Sequence, residues 1–222
     1  MSAKQITVTV CELPNDPEPF AAVWAELVAH VREHQSDVVV LPEMPFAPWL
    51  AWTAAVDAAV WDEAVGLHEE WLPRLAEFGA ATVLSSRPVV CEGQRLNEAF
   101  VWHCEQGYTA AHHKYYLPDE PDFWEATWYE RGQKTFEAVE TPHGRVGFLL
   151  CSEIWFTEHA RAYGQQGAHL LVCPRATEAA TAEKWVMGGR AAAVVSGAYG
   201  LSSNRGGVDA RGHHWGGHGW VI

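Results

Sequence analysis

The sequence predicts an α/β layered domain. Three observations carry this: short apolar runs of strand length, helical apolar spacing after most of them, and turn residues that separate the two. At 222 residues the chain is long enough for one sizeable core and too short for two, so a single domain over residues 1–222 is expected.

The elements follow in order. Gln5 to Cys11 alternates as a strand does, with Ile6, Val8 and Val10 on one face, until Pro14-Asn15-Asp16-Pro17 breaks it. Phe20, Val23, Trp24, Leu27, Val28 and Val31 recur at helical spacing and predict an amphipathic helix to about His34. The unbroken Val38-Val39-Val40-Leu41 run suits a strand covered on both faces, ending at Pro42 with Glu43 just beyond. After an aromatic loop over residues 45–52, Leu67, Trp71, Leu72, Leu75 and Phe78 mark a helix stopped by Gly79. Ala81 to Val90, Leu96 to His103 and Tyr108 to Tyr116 read as successive antiparallel strands, with Gly93 and Gly107 in their turns. Residues 117–132 form a long irregular aromatic stretch, and such loops are often functional. Thr135 to Thr141 leads into Val146, Phe148, Leu149 and Leu150, a buried strand that ends at Cys151. A helix over Thr157 to Gln166, a strand over His169 to Cys173, a helix over Ala182 to Ala198 and a strand over Tyr199 to Asn204 follow. The Gly- and His-rich stretch 206–219 reads as a loop feeding a last strand at Trp220.

Composition excludes several classes. A net charge of −13 argues against nucleic acid and anionic membrane surfaces as partners. Five cysteines without a CxxC pair make neither a disulfide framework nor a zinc ribbon. No apolar run approaches a membrane span, and the N-terminus runs into a strand without a signal-peptide core, so a cytoplasmic location is expected. His214 and His218 lie outside any expected helix without a carboxylate at ligand spacing, so no metal is expected.

Three strand ends carry reactive groups: Glu43, Lys114 and Cys151. A cysteine at a strand-to-helix turn sits near backbone N–H groups that favour thiolate and can hold an oxyanion. Against this stands the reading of Cys151 as a small buried hydrophobe, and of Glu43 and Lys114 as surface charges. Together the three make coherent chemistry: a thiol nucleophile, a carboxylate base and a cation for the developing charge. Cys173, inside Leu-Leu-Val-Cys-Pro, reads as core, and Glu153 and Glu158 as charges that favour a helix start. Of His112 and His113, one should face the core and one the surface. Arg175 and Thr177 lie just past a strand end near the expected site; the arginine suits either a substrate carboxylate or a structural ion pair.

PEM at Glu43, HHKYYLP at Lys114 and GRVGFLLCSEIWFTEHAR at Cys151, in this order and spacing, resemble the nitrilase superfamily of carbon–nitrogen hydrolases. Arg131-Gly132 and the GGHGWVI ending match as well, so the resemblance covers nearly the whole chain. It implies a four-layer α-β-β-α sandwich, here with an abbreviated C-terminal end. It also implies a cofactor-free enzyme with Cys151 as nucleophile, Glu43 as general base and Lys114 as oxyanion stabiliser. The N–H of Ser152 would be a second oxyanion donor. Glu125 matches a second glutamate that orients the lysine and the attacking amine or water; Glu120 and Glu130 are the weaker fits. Trp124, Trp128, Trp155 and Phe156 flank the expected site as walls of an acyl pocket. Ser152 stands where nitrile-hydrolysing members carry tryptophan, which points to an amidase or carbamoylase branch acting on a small carboxamide or N-carbamoyl compound. A nitrilase using the same residues and a catalytically idle binding protein of the same fold are the alternatives. The resemblance further implies a homo-oligomer, with the helix from Thr157 and the C-terminal end as contributors.

Overall fold

The computed structural model describes residues 5–222. The reading of the first four residues as lacking an export signal therefore falls outside the described residues. The first sheet contains β1 (Val8–Val10), β3 (Val38–Val40), β4 (Thr82–Cys91), β5 (Gln94–His103) and β6 (Gly107–His113), in the order β1-β3-β4-β5-β6. β1, β3 and β4 run parallel, and β4, β5 and β6 form antiparallel hairpins. The glycines of the two hairpin turns, Gly93 and Gly107, have φ of +80° and +72°, where a side chain would be strained. The second sheet has the order β13-β10-β9-β8-β7, from β7 (Val139–Thr141), β8 (Gly144–Phe148), β9 (Leu170–Val172), β10 (Tyr199–Ser202) and β13 (Trp220–Val221).

The two sheets pack face to face. Val38, Val40, Leu84 and Val101 of the first meet Val146, Phe148, Leu170, Val172 and Leu201 of the second in one apolar layer. Alternation sends the intervening residues outward. Val39 and Val83 take the buried face of α1 (Pro17–Glu33), whose Phe20, Trp24, Leu27, Val28 and Val31 recur three and four apart. On the far side Leu149 and Leu171 meet Ala160 and Tyr163 of α4 (Thr157–Gln165) and Ala192 of α5 (Ala182–Ser196). Helix, sheet, sheet, helix is the expected four-layer sandwich, and the Val38–Val40 strand is covered on both faces because it lies between two layers.

Three elements differ from the sequence reading. The helix expected around residues 67–78 begins earlier, as α2 (Ala58–Trp71), and gives way to a 3-10 segment over Leu72–Phe78. Pro73 explains the change, because it cannot donate to the helical ladder and its ring crowds the preceding turn. The irregular stretch 117–132 contains one helical turn, α3 (Glu125–Trp128). The supposed loop 206–219 is largely a third sheet, in which β11 (Asn204–Val208) pairs parallel with β2 (Glu12–Pro14) and antiparallel with β12 (His214–Gly216). Among the described residues no helix is long and apolar enough to cross a membrane.

Candidate active site

Three chain segments bring Glu43, Lys114 and Cys151 together at the ends of β3, β6 and β8. Lys114 is fully buried, and its Nζ lies 2.8 Å from Glu43 Oε1 and 2.6 Å from Glu125 Oε2. Burial alone would lower the ammonium pKa. The charges of Glu125 and Glu43 outweigh it and hold Lys114 firmly protonated. Glu43 Oε1 also accepts from Asn97 Nδ2 at 2.8 Å, while Oε2 is buried and meets no donor among the described residues. Glu125, the first residue of α3, accepts a further hydrogen bond from the Tyr129 hydroxyl. Burial first, opposed by Lys114 and reinforced by Glu43, raises its carboxyl to about 7.

Cys151 opens a 3-10 turn, Cys151–Trp155, directly after the β8 run, and has φ of +46°, the left-handed region that costs a residue with a side chain. Its N–H donates to Pro174 O at 3.0 Å. The sequence reading gave turn donors that favour thiolate. The structure reverses the balance: burial and then the charge of Glu43 push the thiol well above its ordinary value, with Lys114 only partly offsetting them. Burial thus favours the neutral thiol of Cys151 over the thiolate.

A cleft of about 320 Å³ opens onto the cysteine, lined among others by Phe123, Glu125, Ser152, Trp155, Thr177 and Trp185. Trp155 and Trp185 lie 4.8 Å apart between ring centroids and form one wall, with Glu120, Glu178 and Lys184 also in the lining. Ser152 Oγ donates to Tyr116 O at 2.7 Å, which turns its side chain into the fold.

Other expected site residues lie elsewhere. Arg175 is fully buried, its Nε on Ser202 Oγ at 2.8 Å, Nη1 on Thr177 Oγ1 at 3.1 Å and Nη2 on His218 O at 2.7 Å. Its donors go to hydroxyls and loop carbonyls and its plane lies over Trp220, and among the described residues it forms no ion pair. Phe156 stacks on Tyr116 at 3.5 Å rather than lining the cleft. Trp124 packs in the aromatic cluster behind the site, and Trp128 is buried there with Nε1 on Thr53 O. Glu130 accepts from the Arg95 N–H. Cys173 is core, its thiol raised by burial to about 12. His112 faces inward and His113 pairs with Glu98 nearer the surface, as alternation along β6 requires.

Sequence reasoning missed four supporting residues. Asn97 and Tyr129 bind the two carboxylates, and neither carried a local signal beyond a polar group within an apolar neighbourhood. Arg205, also buried, donates to the carbonyls of Glu43 at 3.3 Å, Met44 at 2.6 Å and Ala47 at 3.0 Å, and so shapes the turn that presents Glu43. Glu153, expected as a solvated helix-start charge, is fully buried.

Fold and site define an α-β-β-α protein with a cysteine, a lysine and two carboxylates gathered at its sheet ends. The chain belongs to the carbon–nitrogen hydrolase family, whose model matches residues 5–221. It is 35% identical over 63 residues to N-carbamoylputrescine amidase of Solanum tuberosum, covering 28% of this chain and only 21% of that protein. Citrullinase of Francisella tularensis is 24% identical over 178 residues, with 77% of this chain and 61% of that protein covered. Among solved structures, a carbon-nitrogen hydrolase from Helicobacter pylori G27 superposes with a TM-score of 0.80 at 21% identity, covering 98% of this chain and 80% of the other. An amidase from Nesterenkonia sp. AN1, with acrylamide added at its active-site cysteine, gives 0.78 at 18% identity, covering 98% and 85%. At these identities the structural likeness concerns the fold.

Proposed function

We propose that residues 1–222 work as one carbon–nitrogen hydrolase domain that cleaves a small carboxamide or N-carbamoyl compound through a thioester on Cys151. The observation that carries this reading is the buried carboxylate of Glu43: one oxygen is held by Lys114 and Asn97, and the other has no partner among the described residues. Its charge acts on a thiol that burial keeps protonated. A base with a free lone pair and an acid that needs a base form a competent pair.

In the first half-reaction Glu43 takes the thiol proton and sulfur attacks the carbonyl carbon. The oxyanion is met by the Lys114 ammonium and the Ser152 N–H. Collapse of the tetrahedral adduct breaks the C–N bond, and Glu43 returns its proton to the leaving nitrogen. In the second half a water, positioned by Glu125 and deprotonated by Glu43, attacks the thioester. The acid leaves and the thiol is restored. The aromatic wall of Trp155 and Trp185 covers the acyl or carbamoyl part, and the likeness to an N-carbamoylputrescine amidase and a citrullinase supports the same bond class. The chain acts on a small molecule, without nucleic acid or membrane, in the cytoplasm and as a homo-oligomer in this reading.

The test is ammonia release from a panel of carboxamides, N-carbamoyl amino acids and amines, and nitriles. Turnover of at least one amide or N-carbamoyl compound is expected. Release from none of them, or from nitriles alone, contradicts the proposal.

A further inference from the structure

One carboxylate outside the reacting groups ties the cysteine end to the lysine end. Glu153 lies in the 3-10 turn that Cys151 opens and is fully buried. Its Oε1 accepts the N–H of Tyr115 at 2.8 Å, and its Oε2 accepts the N–H of Leu150 at 2.9 Å. Tyr115 directly follows Lys114, and Leu150 directly precedes Cys151. The same two oxygens receive His112, whose Nε2 lies 3.1 and 2.9 Å away. The other ring nitrogen, Nδ1, is 3.2 Å from the carbonyl oxygen of Thr135. A carbonyl and a carboxylate that already accepts two amide bonds both call for donors. The ring thus bridges the buried glutamate to the Thr135 carbonyl, one nitrogen beside each.

We infer that Glu153 is a positioning residue for the Cys151–Lys114 pair, with His112 as its hydrogen-bond partner. This rests on the reading of Cys151 as nucleophile. The left-handed backbone of Cys151 is unfavourable and needs its neighbours to hold it. Glu153 holds the amide before it, and Pro174 O holds the cysteine's own amide. By gripping Tyr115 as well, Glu153 fixes the distance between sulfur and ammonium across two strands that are remote in sequence. The hydrogen bond from Ser152 Oγ to Tyr116 O is a second tie between the same two segments, and a displacement of about 1 Å in such a pair costs on the order of 100-fold in rate.

The test compares the full-length wild type with Glu153→Gln, which keeps the size of the side chain but puts a donor where one of two amides needs an acceptor. Iodoacetamide alkylation, read cysteine by cysteine by mass spectrometry, needs no amide substrate. It therefore reports on Glu153 even where the panel assay fails, and failure of the panel leaves it intact. Cys91 and Cys104 are exposed and serve as controls, and buried Cys173 reports whether the fold has opened. Alkylation of Cys151 should fall about 100-fold while Cys91 and Cys104 react as in wild type and Cys173 stays protected. Where turnover is measured, kcat should fall and KM should hold. A folded Glu153→Gln protein with Cys151 as reactive as in wild type overturns the inference. Should Cys173 become reactive, His112→Gln, which removes the ring that bridges Glu153 to Thr135 O, carries the comparison; the same selective loss is expected, and unchanged Cys151 reactivity overturns it.

Discussion

The ammonium of Lys114 lies 2.8 Å from Oε1 of Glu43, and the other oxygen of that carboxylate meets no donor among the described residues. A buried carboxylate oxygen without a partner is costly, so its retention calls for a use. Accepting a proton from the neighbouring thiol is the use proposed above. Glu43→Gln keeps the shape and removes the base. A fall in kcat of at least about 100-fold with a folded protein is expected in steady-state assays, since general-base catalysis contributes at that scale or above. Near-wild-type turnover would assign the base elsewhere.

The acid limb of the pH profile should belong to Glu125. Burial raises its carboxyl from 4.5 to about 7, so it is protonated below that value and accepts less well from Lys114. As pH falls through about 7, kcat/KM should fall, and in Glu125→Gln that limb should disappear from a slower enzyme. The stability effect has the opposite sense. A pKa raised on folding gives a contribution that is present below 4.5 and lost as pH rises through about 7. Urea midpoints should accordingly decline less between pH 5 and pH 8 in Glu125→Gln than in wild type, apart from the offset due to Lys114. A wild-type profile flat across about pH 7 speaks against this role.

The strand ends were legible because apolar runs that stop at Pro42, at the HHK segment and at Cys151 are local signals, and the family's motifs stand on them. Partners reached through space were not. Arg175 spends its donors on Thr177 and on the carbonyl of His218, 43 residues away, partners that neither expected reading of it, substrate carboxylate or ion pair, had named. Glu153 needs His112, 41 residues earlier, to explain its burial. The third sheet escaped notice because Gly206, Gly207, Gly216 and Gly217 supply no apolar alternation, and its pairing is carried by backbone bonds.

Gly132 should tolerate no side chain. A Cβ there would lie 2.4 Å from the Cβ and from the carbonyl oxygen of His113, and the Gly132 N–H donates to Lys114 O at 2.9 Å. Gly132→Ala must push the lysine strand aside. A loss of about 1–3 kcal/mol in denaturant unfolding is expected, together with a lower kcat. Wild-type stability would show that the loop yields at no cost.

Arg205 should matter to stability before it matters to chemistry. Arg205→Met removes donors from the carbonyls of Glu43, Met44 and Ala47 and from Asn15 Oδ1, all in the interior. Leaving these acceptors unpaired should cost about 2–5 kcal/mol in urea unfolding, with turnover of the folded fraction reduced because Glu43 loses its frame. An unchanged unfolding midpoint would contradict this account of the turn.

Small Ser152 beside the nucleophile leaves room for a planar group, and the proposed donors for the oxyanion suit an attacked carbon that already bears oxygen. Matched amide and nitrile pairs should therefore show faster ammonia release from the amide. A consistent preference for the nitrile would move the assignment to a nitrilase.

The measurement that bears most directly on the thioester proposal is ammonia release by Cys151→Ala on whichever amide the wild type turns over best. The account predicts a folded protein whose rate is lower by at least about 1,000-fold, because base, cation and cleft have no nucleophile to serve. A Cys151→Ala protein that keeps a substantial fraction of wild-type turnover would contradict it.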